Sequence, residues 1–433
     1  MNGKRQAPTL RPRMIASAAV AAHLALHPLG AFSRDIHHVI HISVDGLRPD
    51  AVLVLGATNL PNYYRLRAEG AFTDNARTDY DYTDTVPNHT TQLTGRGVLG
   101  PAGHNWTDND DPANGATLMS NKRAYVPGVF DVAHDNGLRT GQFAGKSKFS
   151  LFSASWNAAN AVPDITGDNN GRNKIDVSLN LVENLTNSLA LVNALISSMT
   201  ARPFHYVFLH LADPDLVGHA LGWEVTPGSA YCEAVKATDQ FLGLIFRMMD
   251  GNSQLAGKIA LILTSDHGGL AKGHDNPFLR EDYTVPFYVW GPGVMSGADL
   301  YALNPTTRLD PGTNRPSYSA PIQPVRNGEA ANLALKLLGQ GPVPGSTINA
   351  AQDLALTIPA PTGFRMTVVD TDATVTFTTI PNALYDIQRC DDLRTSSWIT
   401  IATNILGTGG QVAHTASRTA TNLSGFYRVQ AHF

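Results

Sequence analysis

The sequence predicts an α/β protein: a mostly parallel sheet with helices on both faces, followed by a small all-β sandwich. Three observations predict it. Short apolar segments rich in β-branched residues alternate with longer segments of helical periodicity through the first three-quarters of the chain. The composition shifts near residue 355, where Pro359-Ala-Pro-Thr-Gly363 reads as a linker. Beyond it, short β-branched and aromatic segments are separated by turns.

Taken in order, residues 37–44 read as a buried strand that ends in Asp45-Gly46, and residues 141–144, 205–211, 259–264 and 285–290 read as further strands. Helical patterns occupy residues 62–69, 127–136, 177–198 and 231–249, with a final helix at 332–338 ended by Gly339. In the last segment, residues 365–369, 373–379, 385–389, 398–402 and 426–430 read as strands. This last segment carries no cluster of metal ligands or nucleophiles, so no chemistry is assigned to it.

The chain has 433 residues and a formal net charge of −4, a composition that gives no nucleic-acid footprint. Lys4, Arg5, Arg11 and Arg13 precede an apolar stretch over 14–29 and then Ala31-Phe32-Ser33. This is the layout of a secretory signal peptide, and it predicts a secreted, periplasmic or cell-surface protein. His23 and His27 inside the stretch argue against a retained transmembrane helix, and no later segment is apolar enough to span a bilayer. The predicted organisation is a signal peptide at 1–33, a catalytic domain at 34–354, a linker at 355–363 and a β-sandwich module at 364–433. Cys232 and Cys390 fall in different predicted domains, lack metal-site spacing and are read as structural.

Candidate chemistry collects where predicted strands end, the place where open α/β sheets hold their ligands. Asp45 follows the first strand, and Asp215 and His219 follow the strand at 205–211 in Leu-Ala-Asp-Pro-Asp-Leu-Val-Gly-His. Asp266, His267 and His274 follow the strand at 259–264, and Thr85 lies in Thr-Asp-Thr-Val-Pro-Asn-His. Singly, each has a plain structural reading: a strand-to-turn step at Asp45-Gly46, a loop threonine at Thr85, a helix cap with a surface histidine at Asp215 and His219. Jointly, three aspartates and three histidines at three strand ends are enough ligands for two metal ions.

The order Asp, Thr-x-Pro-Asn-His, Pro-Asp-x-x-Gly-His, Ser-Asp-His-Gly and Gly-His resembles the alkaline phosphatase superfamily, in its type I phosphodiesterase/nucleotide pyrophosphatase branch, over residues 39–338. The resemblance implies two zinc ions, with other divalent metals compatible with the same donors. One ion would be held by Asp45, Asp266, His267 and the Thr85 oxygen, the other by Asp215, His219 and His274. It implies cleavage of phosphodiester or pyrophosphate bonds in a small phosphorylated substrate, through a phospho-enzyme on Thr85 that water hydrolyses. Asn109, in His104-Asn-Trp-Thr-Asp-Asn109, is the candidate donor to the phosphoryl oxygens, with Asn105 as the fallback.

Two departures bear on the branch. His274 follows Asp266-His267 almost at once, whereas in the animal phosphodiesterases the last histidine comes far downstream. Lys146-Ser-Lys148 resembles the Lys-x-Lys segment that binds the substrate carboxylate in phosphonoacetate hydrolases, which would place both lysines in an anionic pocket; a solvated lysine pair at a strand end is the alternative. A phosphonate hydrolase or a phosphomonoesterase on the same metal core therefore stands beside the diesterase reading. A non-catalytic surface-binding protein would have lost a ligand or the nucleophile, and no such loss is visible. The C-terminal segment, around Tyr385, Trp398 and Phe426-Tyr427-Arg428, resembles a small β-sandwich appended to many secreted bacterial proteins.

Overall fold

The computed structural model describes residues 36–157, 162–167, 172–358, 361–381, 383–394, 397–417 and 425–432. The predicted export signal lies outside them, as do Pro359 and Ala360 of the predicted linker. The chain divides into two compact units, with the boundary at residues 359 and 360.

The larger unit is built on an eight-stranded sheet. Its strands are β1 (His38–Val44), β2 (Ala71–Arg77), β3 (Thr140–Ala144), β4 (Val177–Asn180), β5 (Tyr206–Leu211), β6 (Ile259–Thr264), β7 (Thr284–Trp290) and β8 (Ala298–Asp299), in the spatial order β4-β3-β5-β1-β6-β7-β2-β8. Only β7 opposes the others, pairing antiparallel with both β6 and β2. Pro286 has no N–H to give to the ladder, and β2 bulges opposite it, between Thr73 and Ala76.

Apart from His38 at the start of β1, the central strands are buried along their length and largely apolar, as a sheet covered on both faces requires. Alternation along β1 sorts its side chains. Ile40, Ile42 and Val44 join a core with Leu195, Leu242 and Ile245 of the helices Asn187–Ala201 and Ala230–Gly251. Ser43 points the other way, to His89 on the helix Thr85–Thr94.

One expected helix is corrected. Residues 177–180 form strand β4, paired in parallel with Gly141–Ala144, and the helix begins only at Asn187. The apolar residues Val177, Leu179 and Leu181 repeat every second position, which is strand spacing. Asn184 then accepts from the Thr186 amide in a local turn that separates the two elements. Strand β2, with the polar sequence AFTDNAR, and the helices Pro49–Asn59, Thr85–Thr94 and Asp213–Leu221 had no counterpart among the expected elements.

The smaller unit holds two three-stranded antiparallel sheets. One comprises β9 (Arg365–Val369), β10 (Asp372–Thr378) and β13 (Gln411–Ala416), the other β11 (Leu384–Cys390), β12 (Ile399–Leu406) and β14 (Phe426–His432). Ala373, Val375 and Phe377 alternate inward from β10, and the Phe377 ring meets Tyr385 of β11 with centroids 5.3 Å apart. The sandwich core is thus apolar and aromatic.

Candidate metal centre

The register of the three central strands delivers the first carboxylates. β1 lies between β5 and β6, with Val44 beside Leu211 and Ser43 beside Thr264, so Asp45, the Asp213–Leu221 helix and Asp266 emerge at one edge. The turn after β1 needs a glycine: Gly46 has φ of 70°, and a Cβ there would come within 3.0 Å of the Asp215 Cα. The Gly46 amide donates to Asp266 Oδ1, and its carbonyl accepts from Trp223 Nε1 and Tyr231 Oη. Gly268 is equally constrained, since a Cβ would lie 2.0 Å from the Glu281 carbonyl oxygen.

Six of the predicted residues come together as two groups of three: Asp45, Asp266 and His267, and Asp215, His219 and His274. Within each group the potential ligand atoms all lie within 4.8 Å of one another. The groups adjoin: the His267 and His274 rings stack with centroids 3.6 Å apart, and His267 Nε2 is 4.0 Å from Asp215 Oδ1. Thr85 is the first residue of its helix, and its Oγ1 lies 3.3 Å from His267 Nε2 and 3.5 Å from Lys146 Nζ.

Backbone carbonyls set the tautomers. Nδ1 of His267 faces the Gly268 carbonyl at 2.8 Å, that of His274 the Thr83 carbonyl at 2.8 Å, and that of His219 the Lys272 carbonyl at 3.1 Å. A carbonyl only accepts, so each Nδ1 carries the proton, and each Nε2 turns its lone pair to the cluster when the ring is neutral. Asp45 has its own orienting partner. The Gly145 amide donates to His210 Nδ1 at 3.2 Å, so His210 Nε2 carries the proton and donates to Asp45 Oδ2 at 2.8 Å.

The electrostatics are those of crowded buried carboxylates. Asp45, Asp215 and Asp266 are buried, each with one oxygen (Oδ1, Oδ1 and Oδ2) that has no hydrogen-bond partner. Burial pushes Asp45 up, but Lys146 and His210 outweigh it and hold the carboxyl well below its usual range. Burial and Asp45 push Asp266 up. Burial alone would lower His267, yet Asp266, Asp45 and Asp215 raise it to about 10; burial, together with His267, drops His274 to about 3. An imidazole nitrogen 3.0 Å from Asp266 Oδ2 and 3.4 Å from Asp45 Oδ1 needs a positive charge between them. A proton on His267 supplies one, and a metal ion would supply it better, because it would also take the three unpartnered oxygens. The donor set therefore fits two divalent cations.

Asn109, Lys146 and Lys148 lie beside this cluster. Asn109 Oδ1 accepts from the Val86 amide at 3.0 Å, which brings Asn109 next to Thr85. Asn105 is exposed, with φ of 62°. Lys146 is buried between Asp45 and Asp215, and Lys148 Nζ donates to the Asn109 carbonyl at 2.6 Å.

Sequence reasoning missed His210, His89 and Asn327. His210 is the one polar residue of YVFLHL, a buried imidazole in an apolar strand, and that was its signal. His89 donates from Nδ1 to the Thr85 carbonyl and accepts from Ser43 Oγ at Nε2. Asn327 joins the Asp266 carbonyl to Asn88 on the Thr85 helix; its partners lie more than 60 residues away in sequence, so no local pattern could disclose it.

Residues 39–308 match the type I phosphodiesterase/nucleotide pyrophosphatase family, well over half of the chain. The chain belongs to this family, within the alkaline phosphatase superfamily. Among solved structures, an inactive variant of murine ectonucleotide pyrophosphatase/phosphodiesterase 5 in complex with AMP aligns with 73% of this chain and 99% of its own, at 16% identity and a TM-score of 0.49. The human ectonucleotide pyrophosphatase/phosphodiesterase 5 covers the same shares at 16% identity and a TM-score of 0.48. A Vibrio parahaemolyticus protein of the alkaline phosphatase superfamily aligns with 89% of this chain and 88% of its own, at 12% identity and a TM-score of 0.49. No curated protein matches the chain in sequence. Among the described residues, no helix of this family member is long and apolar enough to cross a membrane.

Proposed function

We propose that the cluster around Thr85 is the active site of an exported, two-metal phosphodiesterase or nucleotide pyrophosphatase, with Thr85 as the nucleophile. The observation that carries this reading is the convergence of three carboxylate oxygens without a hydrogen bond and three oriented imidazoles in two adjacent groups beside one threonine hydroxyl. Asp45, Asp266 and His267 with the Thr85 oxygen would hold one ion, and Asp215, His219 and His274 the other. Carboxylate and imidazole donors without thiolate suit zinc, and also manganese and iron. A pair of such ions supplies charge neutralisation of the transferred phosphoryl group and lowers the pKa of a coordinated hydroxyl.

The chain's own residues then do the positioning. Thr85 opens a ten-residue helix, so its hydroxyl stands at the positive end of the helix dipole, while the Val86 amide is committed to Asn109. His89 steadies the Thr85 carbonyl. Asn109 spends its Oδ1 on the Val86 amide and keeps Nδ2 to donate to a phosphoryl oxygen. Thr85 Oγ attacks phosphorus and the bond to the leaving oxygen breaks, that oxygen keeping the electron pair. The Thr85 proton passes to solvent, the leaving oxygen takes one up, and water then cleaves the phospho-threonine. The net reaction is diester plus water giving monoester plus alcohol. Export is supported by the basic and apolar pattern of residues 4–33.

The test is turnover of bis-p-nitrophenyl phosphate, p-nitrophenyl phosphate and phosphonoacetate by metal-analysed protein. Preference for the diester, at two metal ions per chain, is expected. Preference for the monoester or the phosphonate would keep the centre and move the substrate class. No metal and no turnover on any of the three would overturn the reading.

A further inference from the structure

Lys146 is the one lysine buried among the candidate metal ligands, and its geometry differs from that of a pocket lysine. Its Nζ lies 2.7 Å from Asp45 Oδ2 and 2.5 Å from Asp215 Oδ2. These carboxylates belong to different metal groups. In each, the oxygen that Lys146 takes is Oδ2, while Oδ1 has no hydrogen-bond partner. On Asp45, His210 shares Oδ2 with the lysine, so both fixed cationic or N–H partners crowd one oxygen and leave the other to the cluster. Asp215 Oδ1 faces His219 Nε2 at 3.3 Å and His274 Nε2 at 3.9 Å, the other members of its group.

We infer that Lys146 is a positioning residue that ties the two metal groups together, fixing the separation of the two carboxylates and turning Oδ1 of each toward its own ion. A single ammonium between the two Oδ2 atoms keeps them no farther apart than two hydrogen bonds laid end to end. It also supplies one fixed positive charge among three carboxylates, so that they lie close together without a tightly bound solvent cation. The assignment rests on the two-metal reading above and goes beyond it, because it commits the Lys146 charge to the two carboxylates, with only a longer 3.5 Å contact to Thr85 Oγ1, and not to a substrate anion. Lys148 is committed too, to the Asn109 carbonyl, and Ser147 Oγ donates to Asp111 Oδ1 at 2.7 Å. The Lys-Ser-Lys segment that follows β3 thus binds protein at all three side chains.

The test is metal titration of full-length Lys146→Met and Lys146→Gln against the wild type, using zinc chloride for calorimetry and cobalt chloride for electron paramagnetic resonance. Helical content by circular dichroism reports folding. For folded variants, affinity for the second ion is expected to fall about 10- to 100-fold, with a changed magnetic coupling between the two cobalt ions. On bis-p-nitrophenyl phosphate kcat should fall while KM stays near the wild-type value. Unchanged affinity and coupling with a raised KM would overturn the assignment and return Lys146 to the substrate. Should neither variant fold, a crystal structure of the zinc-loaded wild type decides: Nζ within hydrogen-bond reach of both Oδ2 atoms supports the bridge, and Nζ turned toward a bound phosphate overturns it. A wild type that takes up no pair of ions would instead sink the two-metal reading itself.

Discussion

The larger unit contains two clusters in which three aspartates gather near one lysine, the first joined by three histidines as well, and they are satisfied in opposite ways. Around Lys174, every carboxylate oxygen has a partner. Asp131 accepts from the Tyr125 hydroxyl and the Gly128 amide, Asp135 takes Lys174 on both oxygens, and Asp164 is shared between Lys174 and Thr166. Around Lys146, three of the carboxylate oxygens make no hydrogen bond and face imidazoles, those of His219 and His267 among them. Burying a charge is costly wherever it occurs, so a cluster that is complete within the protein is structural, whereas one left incomplete has kept valence for something else. Aspartates gathered near a lysine in the same fold therefore differ in role through which of their oxygens are left without a hydrogen bond.

The largest expected effect breaks the comparison on the incomplete side. Thr85→Ala should lower turnover of bis-p-nitrophenyl phosphate by about three orders of magnitude or more, with the metal content retained. Steady-state kinetics with metal analysis checks this, and near wild-type turnover would remove Thr85 as nucleophile.

On the complete side, Lys174→Met leaves three aspartates without their shared cation. It should cost about 3 kcal/mol or more of stability in chemical denaturation, with metal content and turnover of the folded protein retained. A loss of metal there would erase the distinction between the clusters.

A smaller effect is linked to pH. Burial raises Asp131 to about 7 in the folded chain, against 3.8 for an ordinary aspartate, despite donation from Tyr125 and Gly128. The folded state thus holds this proton more tightly. The stability it contributes is complete below about pH 4 and is lost as pH rises toward 7. Unfolding free energies from urea titrations at pH 5, 6 and 7 should fall less steeply in Asp131→Asn than in the wild type, and parallel slopes would contradict the assignment.

The smallest effect concerns the other unit. Among its described residues no aspartate, glutamate, histidine, lysine or arginine is buried. Removal of residues 360–433 should leave kcat within about twofold of the full chain, measured on folded protein. An inactive but folded truncation would give the sandwich a part in catalysis.

The alternation of strands and helices was legible because burial on both faces of a parallel sheet writes continuous apolar runs such as ALILT into the sequence. β2 was not, because AFTDNAR is polar and is held as a strand by pairing with β7 and β8, neighbours distant in sequence. The helix opened by Thr85 was hidden by Pro87 and a run of threonines. In the folded chain Thr90 and Thr94 return their hydroxyls to the carbonyls four residues back, so the run is compatible with a helix. Asp45, Asp215 and Asp266 could be proposed from sequence because each follows a strand end closely. The roles of His210 and Lys146 could not, since they depend on which oxygen of a carboxylate each one occupies.

The most direct test of the metal centre is a count of metal ions per chain in active protein, with diester turnover measured before chelation, after it and after re-addition of zinc. Two ions per chain, loss of turnover on chelation and its recovery with zinc are the predicted result. Undiminished turnover in protein freed of metal would contradict the assignment of the unpartnered aspartate oxygens to a pair of ions.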